Sequence, residues 1–85
     1  MATYKVLYWQ EVPSQIKSED DSDDCTMPMP DRFQERIDAL AAQRGLQDTD
    51  SYLAQWKWSD EEERDGSAQE VAEAVRAELE AQADF

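Results

Sequence analysis

The segment from Tyr4 to Val12, Tyr-Lys-Val-Leu-Tyr-Trp-Gln-Glu-Val, constrains the fold more than any other part of the sequence. β-Branched and aromatic residues dominate it and it contains no Gly or Pro, so it reads as a strand. Alternation puts Tyr4, Val6 and Tyr8 on one face and Lys5, Leu7 and Trp9 on the other. Both faces carry apolar side chains, so the strand is expected to be central in a sheet or covered on both sides. Pro13 lacks a ladder donor and is expected to end it. Ser14 to Glu19 reads as a weaker second strand, with Gln15 and Lys17 alternating against Ile16. Asp20-Asp21-Ser22-Asp23-Asp24 is polar and turn-prone. Cys25, Met27 and Met29 then share one face of a short third strand, which predicts a hairpin with an acidic tip.

The remainder is helical in pattern. Pro30 suits a first turn, Asp31 followed by Gln34 resembles a capping box, and Phe33, Ile37, Leu40 and Ala41 recur at helical spacing. Arg44 suits the negative end of the helix dipole and Gly45 a left-handed cap, so a helix is predicted over 31–44. Asp48 or Thr49 can cap a second helix over 49–58 bearing Tyr52, Leu53 and Trp56. Ser59 to Asp65 has the pattern of a solvated turn or a single helical turn. Ser67-Ala68-Gln69-Glu70 opens the last helix, 67–83, where Val71, Val75 and Leu79 form a narrow apolar stripe. The fold class is therefore α+β: a short antiparallel sheet of two to three N-terminal strands within 3–29, packed against about three helices. Phe33, Ile37, Leu40, Leu53, Val71 and Val75 are expected on the sheet's apolar side.

At 85 residues the chain fits a single domain, 1–85. A domain this small buries only about 60–65% of its unfolded surface, so a partner can supply part of its stability. Eight Lys and Arg face 21 Asp and Glu, a formal net charge of −13. That balance disfavours nucleic acid phosphates and anionic membranes as partners and favours basic patches on proteins. No stretch approaches the length of a membrane span, and no apolar signal core follows a basic start, so a cytoplasmic location is expected.

The chain has no histidine, which removes the commonest general base and metal ligand and every Ser-His or Cys-His pair. Gly45 and Gly66 are the only glycines, so there is no Gly-rich phosphate loop. Cys25, the only cysteine, has acidic neighbours that suppress its thiolate. The runs Asp20–Asp24 and Glu61–Glu63 read as solvated surface; the first lacks the Gly and terminal Glu of a calcium loop. No catalytic residue, cofactor or metal is assigned. The aromatic set is more informative. Three tryptophans are many for this length, and on a helix Trp56 and Trp58 cannot share a face. Trp9, Tyr52, Trp56 and Trp58 are the candidate partner-binding residues, with core packing as the alternative role.

Three ordered segments carry a resemblance. Val6-Leu7-Tyr8-Trp9-Gln10-Glu11-Val12-Pro13-Ser14-Gln15-Ile16 resembles a Tyr-Trp-Arg-Asp-Ile-Pro-Ala-Gln-Val motif. Arg32-Phe33-Gln34-Glu35-Arg36-Ile37-Asp38 matches Arg-Phe-Gln-x-x-Ile-Asp. Gly45-Leu46-Gln47-Asp48-Thr49-Asp50-Ser51-Tyr52-Leu53-Ala54-Gln55-Trp56 matches Gly-Leu-x-x-Thr/Ser-Asp-x-Tyr-Leu-x-x-Trp. The chain thus resembles the small bacterial "virulence factor" domain family, which also occurs in conserved virulence factor C proteins. That label defines no reaction. The resemblance implies an accessory protein, with some members near genes of folate- and corrinoid-linked methyl metabolism. This sequence departs from the pattern at Gln10 and Glu11, which replace Arg-Asp, and in an acidic hairpin tip where the family's is basic.

The leading expectation is a non-catalytic interaction domain that binds a larger protein. A second is an acidic decoy that imitates nucleic acid and blocks a basic site. A third is a small enzyme using carboxylates such as Glu11 and Asp38 as acid and base, which requires the two to face each other in a cleft.

Overall fold

A computed structural model describes residues 1–85. Eight elements follow in order: β1 (Ala2–Trp9), β2 (Val12–Glu19), β3 (Asp24–Pro28), α1 (Asp31–Gln43), α2 (Thr49–Leu53), β4 (Trp56–Trp58), β5 (Glu62–Arg64) and α3 (Ala68–Gln82). The fold is α+β. Its antiparallel sheet has five strands in the order β3-β2-β1-β4, with β5 also pairing β1. β4 pairs the end of β1 and β5 its beginning, so β1 has neighbours on both edges and is central.

β1 is covered on both faces, for different reasons at its two ends. Val6 packs towards α3, where it shares a hollow with Val75 and Leu79. Trp9, an odd number of residues away, is 0% exposed because Tyr52 of α2 closes over it. Pro13 does not end this strand. The chain already turns at Gln10 and Glu11, with Gln10 at φ 54° as mirror-image hairpin turns require. Pro13 is the second residue of β2, opposite Tyr8, beside a register shift that skips Ser14. The ladder is irregular there, so the missing N–H costs little.

The β2–β3 hairpin pairs Ile16 with Met27 and Ser18 with Cys25, and carries the acidic run at its tip. α1 begins one residue earlier than a capping box on Asp31 requires. Pro30 is the N-cap, no side chain caps the helix, and Asp31 acts only as a first-turn acid. At the other end Gly45 takes φ 68°, while Leu46 N–H donates to Ala41 O at 2.8 Å, a Schellman closure.

The larger correction concerns 49–65. The second helix stops at Leu53, and Trp56–Trp58 is a strand rather than its continuation. Trp9 faces Trp56 and Leu7 faces Trp58 across the ladder. A helix through Trp58 would leave this edge of β1 without partners for its backbone groups. Ser59 continues the pairing: its N–H donates to Val6 O and its Oγ accepts from Val6 N–H, both at 2.8 Å. The acidic segment after it is β5, not a turn, with Glu62, Glu63 and Arg64 opposite Tyr4, Thr3 and Ala2. Charged side chains on this short edge strand discourage further strand addition.

α3 is anchored by a capping box between Ser67 and Glu70 and lies across the sheet. Val6, Ile16, Phe33, Ile37, Leu40, Val71 and Val75 are buried in one core. Leu53 is not among them. It is 58% exposed, because the inward position of the short α2 belongs to Tyr52. No helix is long and apolar enough to cross a membrane.

Candidate interaction surface

Tyr4, Val6 and Tyr8 share a hollow with α3 residues, so the alternate residues Lys5 and Leu7 point away from that helix. Residues directly opposite them share their face. The outer face therefore carries Leu7 beside Trp58 and Gln15, and Lys5 beside Lys17. On β3 the matching positions are Thr26 and Pro28, both exposed. Tyr52 covers this face at Trp9; beyond it Lys17, Thr26, Pro28 and Trp58 are exposed and Lys5, Leu7 and Gln15 half-buried.

Its aromatic end is built by β1, α2 and β4 together. The Trp9 and Tyr52 rings lie 5.5 Å apart, and the Tyr52 and Trp56 rings meet edge to face at 6.0 Å. Trp9 Nε1–H donates to Tyr52 O at 3.0 Å, and Gln34 Nε2–H donates to Tyr52 Oη at 3.2 Å. Trp58 stands two residues beyond Trp56 on a strand, so the two share a face, contrary to the helical expectation. Lys5 Nζ sits 4.9 Å from the centre of the Trp58 ring. Of the four aromatic residues expected at a partner surface, Trp9, Tyr52 and Trp56 form one chain of ring contacts with Trp9 as its buried end, and Trp58 stands outside that chain. Trp58 is 43% exposed. Sequence reasoning missed Lys5, Leu7 and Lys17. Their shared face follows from strand pairing, which sequence spacing does not state.

Elsewhere, four of the five arginines reach carboxylates. Arg44 forks onto Glu11 at 2.8 and 3.0 Å and also contacts the Gln10 side chain, which locks the first hairpin to the end of α1. That hydrogen bond from Arg44 holds the Glu11 carboxyl below its usual range. Asp38 is exposed and lines a different hollow from Glu11, so no cleft brings these two carboxylates together. At the acidic tip Asp20 accepts from the backbone N–H groups of Ala68 and Ser22, both at 2.8 Å, and of Asp23 at 2.7 Å. These bonds, that from Ala68 first, hold its carboxyl below the usual range. Asp20 thus joins the tip to the start of α3. No cluster of three or more His, Cys, Asp or Glu side chains is arranged to hold a metal ion. Cys25 is a half-buried free thiol.

The largest hollow, about 470 Å³, lies between α1, α3 and the first hairpin. The chain's own Phe85 takes part of it, edge-on to Phe33 at 4.9 Å with the Arg36 guanidinium 5.5 Å from its ring centre.

A family model described as virulence factor matches residues 7–84, from the middle of β1 to the penultimate residue. The chain belongs to the virulence factor family. No curated protein and no solved structure matches it.

Proposed function

We propose that this member of the virulence factor family is a non-catalytic binding module that docks a larger protein through the outer sheet face around Trp58 and Trp56. One observation carries the reading: a tryptophan 43% exposed stands on the sheet face away from α3, held by a strand whose neighbouring rings are packed to the core. A rigid, part-exposed aromatic of this kind is the usual anchor of a protein interface. Lys5, Leu7 and Gln15 surround it on the pleat, without a carboxylate. The reading places the protein in the cytoplasm with a single protein partner, and enzymes of folate- and corrinoid-linked methyl metabolism are the first to screen.

The decoy reading has less support. It needs carboxylates spaced along one face, whereas the outer sheet face sets two lysines opposite each other. The carboxylate-enzyme reading loses its pair, since Glu11 is neutralised by Arg44 and Asp38 lies elsewhere.

The test is capture of a partner from native cells by the tagged chain, beside Trp58→Ala. An anchoring tryptophan contributes about 2 kcal/mol or more, so the variant should bind at least about 30-fold more weakly while its thermal unfolding is unchanged. Recovery of free monomer alone at physiological concentration would count against the proposal, as would undiminished capture by Trp58→Ala.

A further inference from the structure

The outer sheet face carries a pair of lysines that meets no carboxylate. β1 and β2 set Lys5 directly opposite Lys17, where like charges oppose pairing. Four arginines reach carboxylates: Arg32 and Arg76 meet Glu80, Arg44 meets Glu11 and Arg64 meets Glu78. No lysine does. In a chain with 21 acidic residues, two adjacent cations without an acidic partner depart from what folding stability alone favours. Lys5 also lies over Trp58, so the basic pair and the exposed aromatic are one patch. Leu7, Gln15 and Thr26 complete it without charge. Carboxylates resume one residue pair further along, where Glu19 faces Asp24 and Thr3 faces Glu19 and Glu63.

We propose that this face docks a protein segment presenting two carboxylates beside an apolar side chain. The carboxylates meet Lys5 and Lys17, and the apolar side chain lies against Trp58 and Leu7. This rests on the reading of the face as an interaction surface and adds the chemistry of the partner. A nucleic acid strand fits less well, because phosphates running along the sheet would pass from the lysines onto Glu19, Asp24 and Glu63. A second copy also fits less well. Two-fold pairing of the lysines with Glu19 requires an axis between rows about 7 Å apart along the strand. That axis sets Trp58 of each copy beyond the last paired row of the other sheet.

The test uses the tagged full-length chain in native extract with and without nuclease; retention is measured before carbodiimide coupling, which then locates the contact by joining a lysine Nζ to a carboxylate as an amide while the carbodiimide takes up the water. Lys5→Gln/Lys17→Gln is compared with Lys57→Glu, which removes the same two units of charge from the other side of the sheet, since Lys57 alternates with Trp56 and Trp58. Circular dichroism melts confirm that each variant is folded. The expected result is one retained protein, joined through Lys5 or Lys17 to Asp or Glu. Its retention falls at least tenfold with the double variant and stays within twofold with Lys57→Glu. Retention that falls with Trp58→Ala but not with the double variant overturns the acidic segment and leaves the interaction surface standing. Retention indifferent to both variants, or no retained protein, overturns both readings. Coupling of Lys5 or Lys17 to peptides of this same chain in a cross-linked dimer assigns the face to self-association instead. Retention abolished by nuclease assigns it to nucleic acid. Either result overturns the proposal.

Discussion

Trp9 and Trp58 are both aromatic residues of the same sheet, and their substitution should separate support from contact. Trp9 is 0% exposed, its ring packs 5.5 Å from Tyr52, and its indole N–H donates to Tyr52 O at 3.0 Å. Replacement by Phe deletes the hydrogen bond, worth about 1 kcal/mol net. It also removes some tens of Å² of buried ring, worth about another 1 kcal/mol at ~25 cal/mol per Å². Trp9→Phe should therefore cost about 2 kcal/mol, and Trp9→Ala about 3–5 kcal/mol once the cavity is included. A domain of this length holds roughly 4–13 kcal/mol in total. The alanine variant should thus approach the unfolding threshold while the phenylalanine variant stays folded. In melting temperature, about 2 kcal/mol corresponds to a fall of roughly 8–16 °C for a domain of this size. Urea unfolding followed by far-ultraviolet circular dichroism measures the first quantity and calorimetry the second. A change in Trp9→Phe below about 0.5 kcal/mol would refute the argument that α2 is held to the sheet through this residue.

Acid should unfold the protein by a route through its caps. The carboxyls of Asp20, Asp48 and Glu70 are held below their usual range by backbone N–H groups of Ala68, Ser51 and Ser67, and Glu11 by Arg44. Depressed folded-state values stabilise above the unfolded values, about 3.9 for Asp and 4.3 for Glu, and that stability is lost as pH falls through the folded values. The urea midpoint should hold from neutrality to about pH 5 and then fall. Asp20→Asn should lower the plateau and flatten the fall; an unaltered slope would show that Asp20 is not a contributor. The two glycines should respond unequally to alanine. At Gly45, φ 68° with open space around the missing Cβ, the cost should be about 1 kcal/mol, the penalty of a left-handed alanine. At Gly66, φ 123° lies outside the left-handed well that alanine can enter, so the cost should be larger although the added Cβ makes only ordinary contacts, and equal costs in chemical denaturation would contradict this.

Much of the architecture was legible along the chain because its signals are local. β1 has no helical spacing to compete with its β-branched and aromatic residues. α1 carries an apolar stripe and a glycine placed for Schellman closure. Ser67 and Glu70 form the capping box their spacing suggests. The misreadings share a cause. Tyr52, Leu53 and Trp56 fit helical spacing over a short window, but Trp56 to Trp58 answers the unpaired edge of a strand more than forty residues earlier. Glu62 to Arg64 has no strand propensity of note and is a strand because β1 offers it hydrogen bonds. Pro13, which lacks a ladder donor, has a sound local reason to end a strand. A two-residue turn at Gln10 and a register shift beside Ser14 moved it into the next one.

The candidate surface divides in the same way. Composition alone rules out histidine- and glycine-loop chemistry, makes the chain strongly acidic, and leaves its tryptophans as the residues able to anchor a contact. Those are properties of composition and survive any folding. Folding in three dimensions fixes which tryptophan is covered, that Trp56 and Trp58 share a face, and that Lys5 stands opposite Lys17 and over the exposed Trp58 ring. The physical reason is register. Which side chains meet across a sheet depends on which backbone groups pair, and that pairing is set by turns, bulges and free edges far apart in the chain.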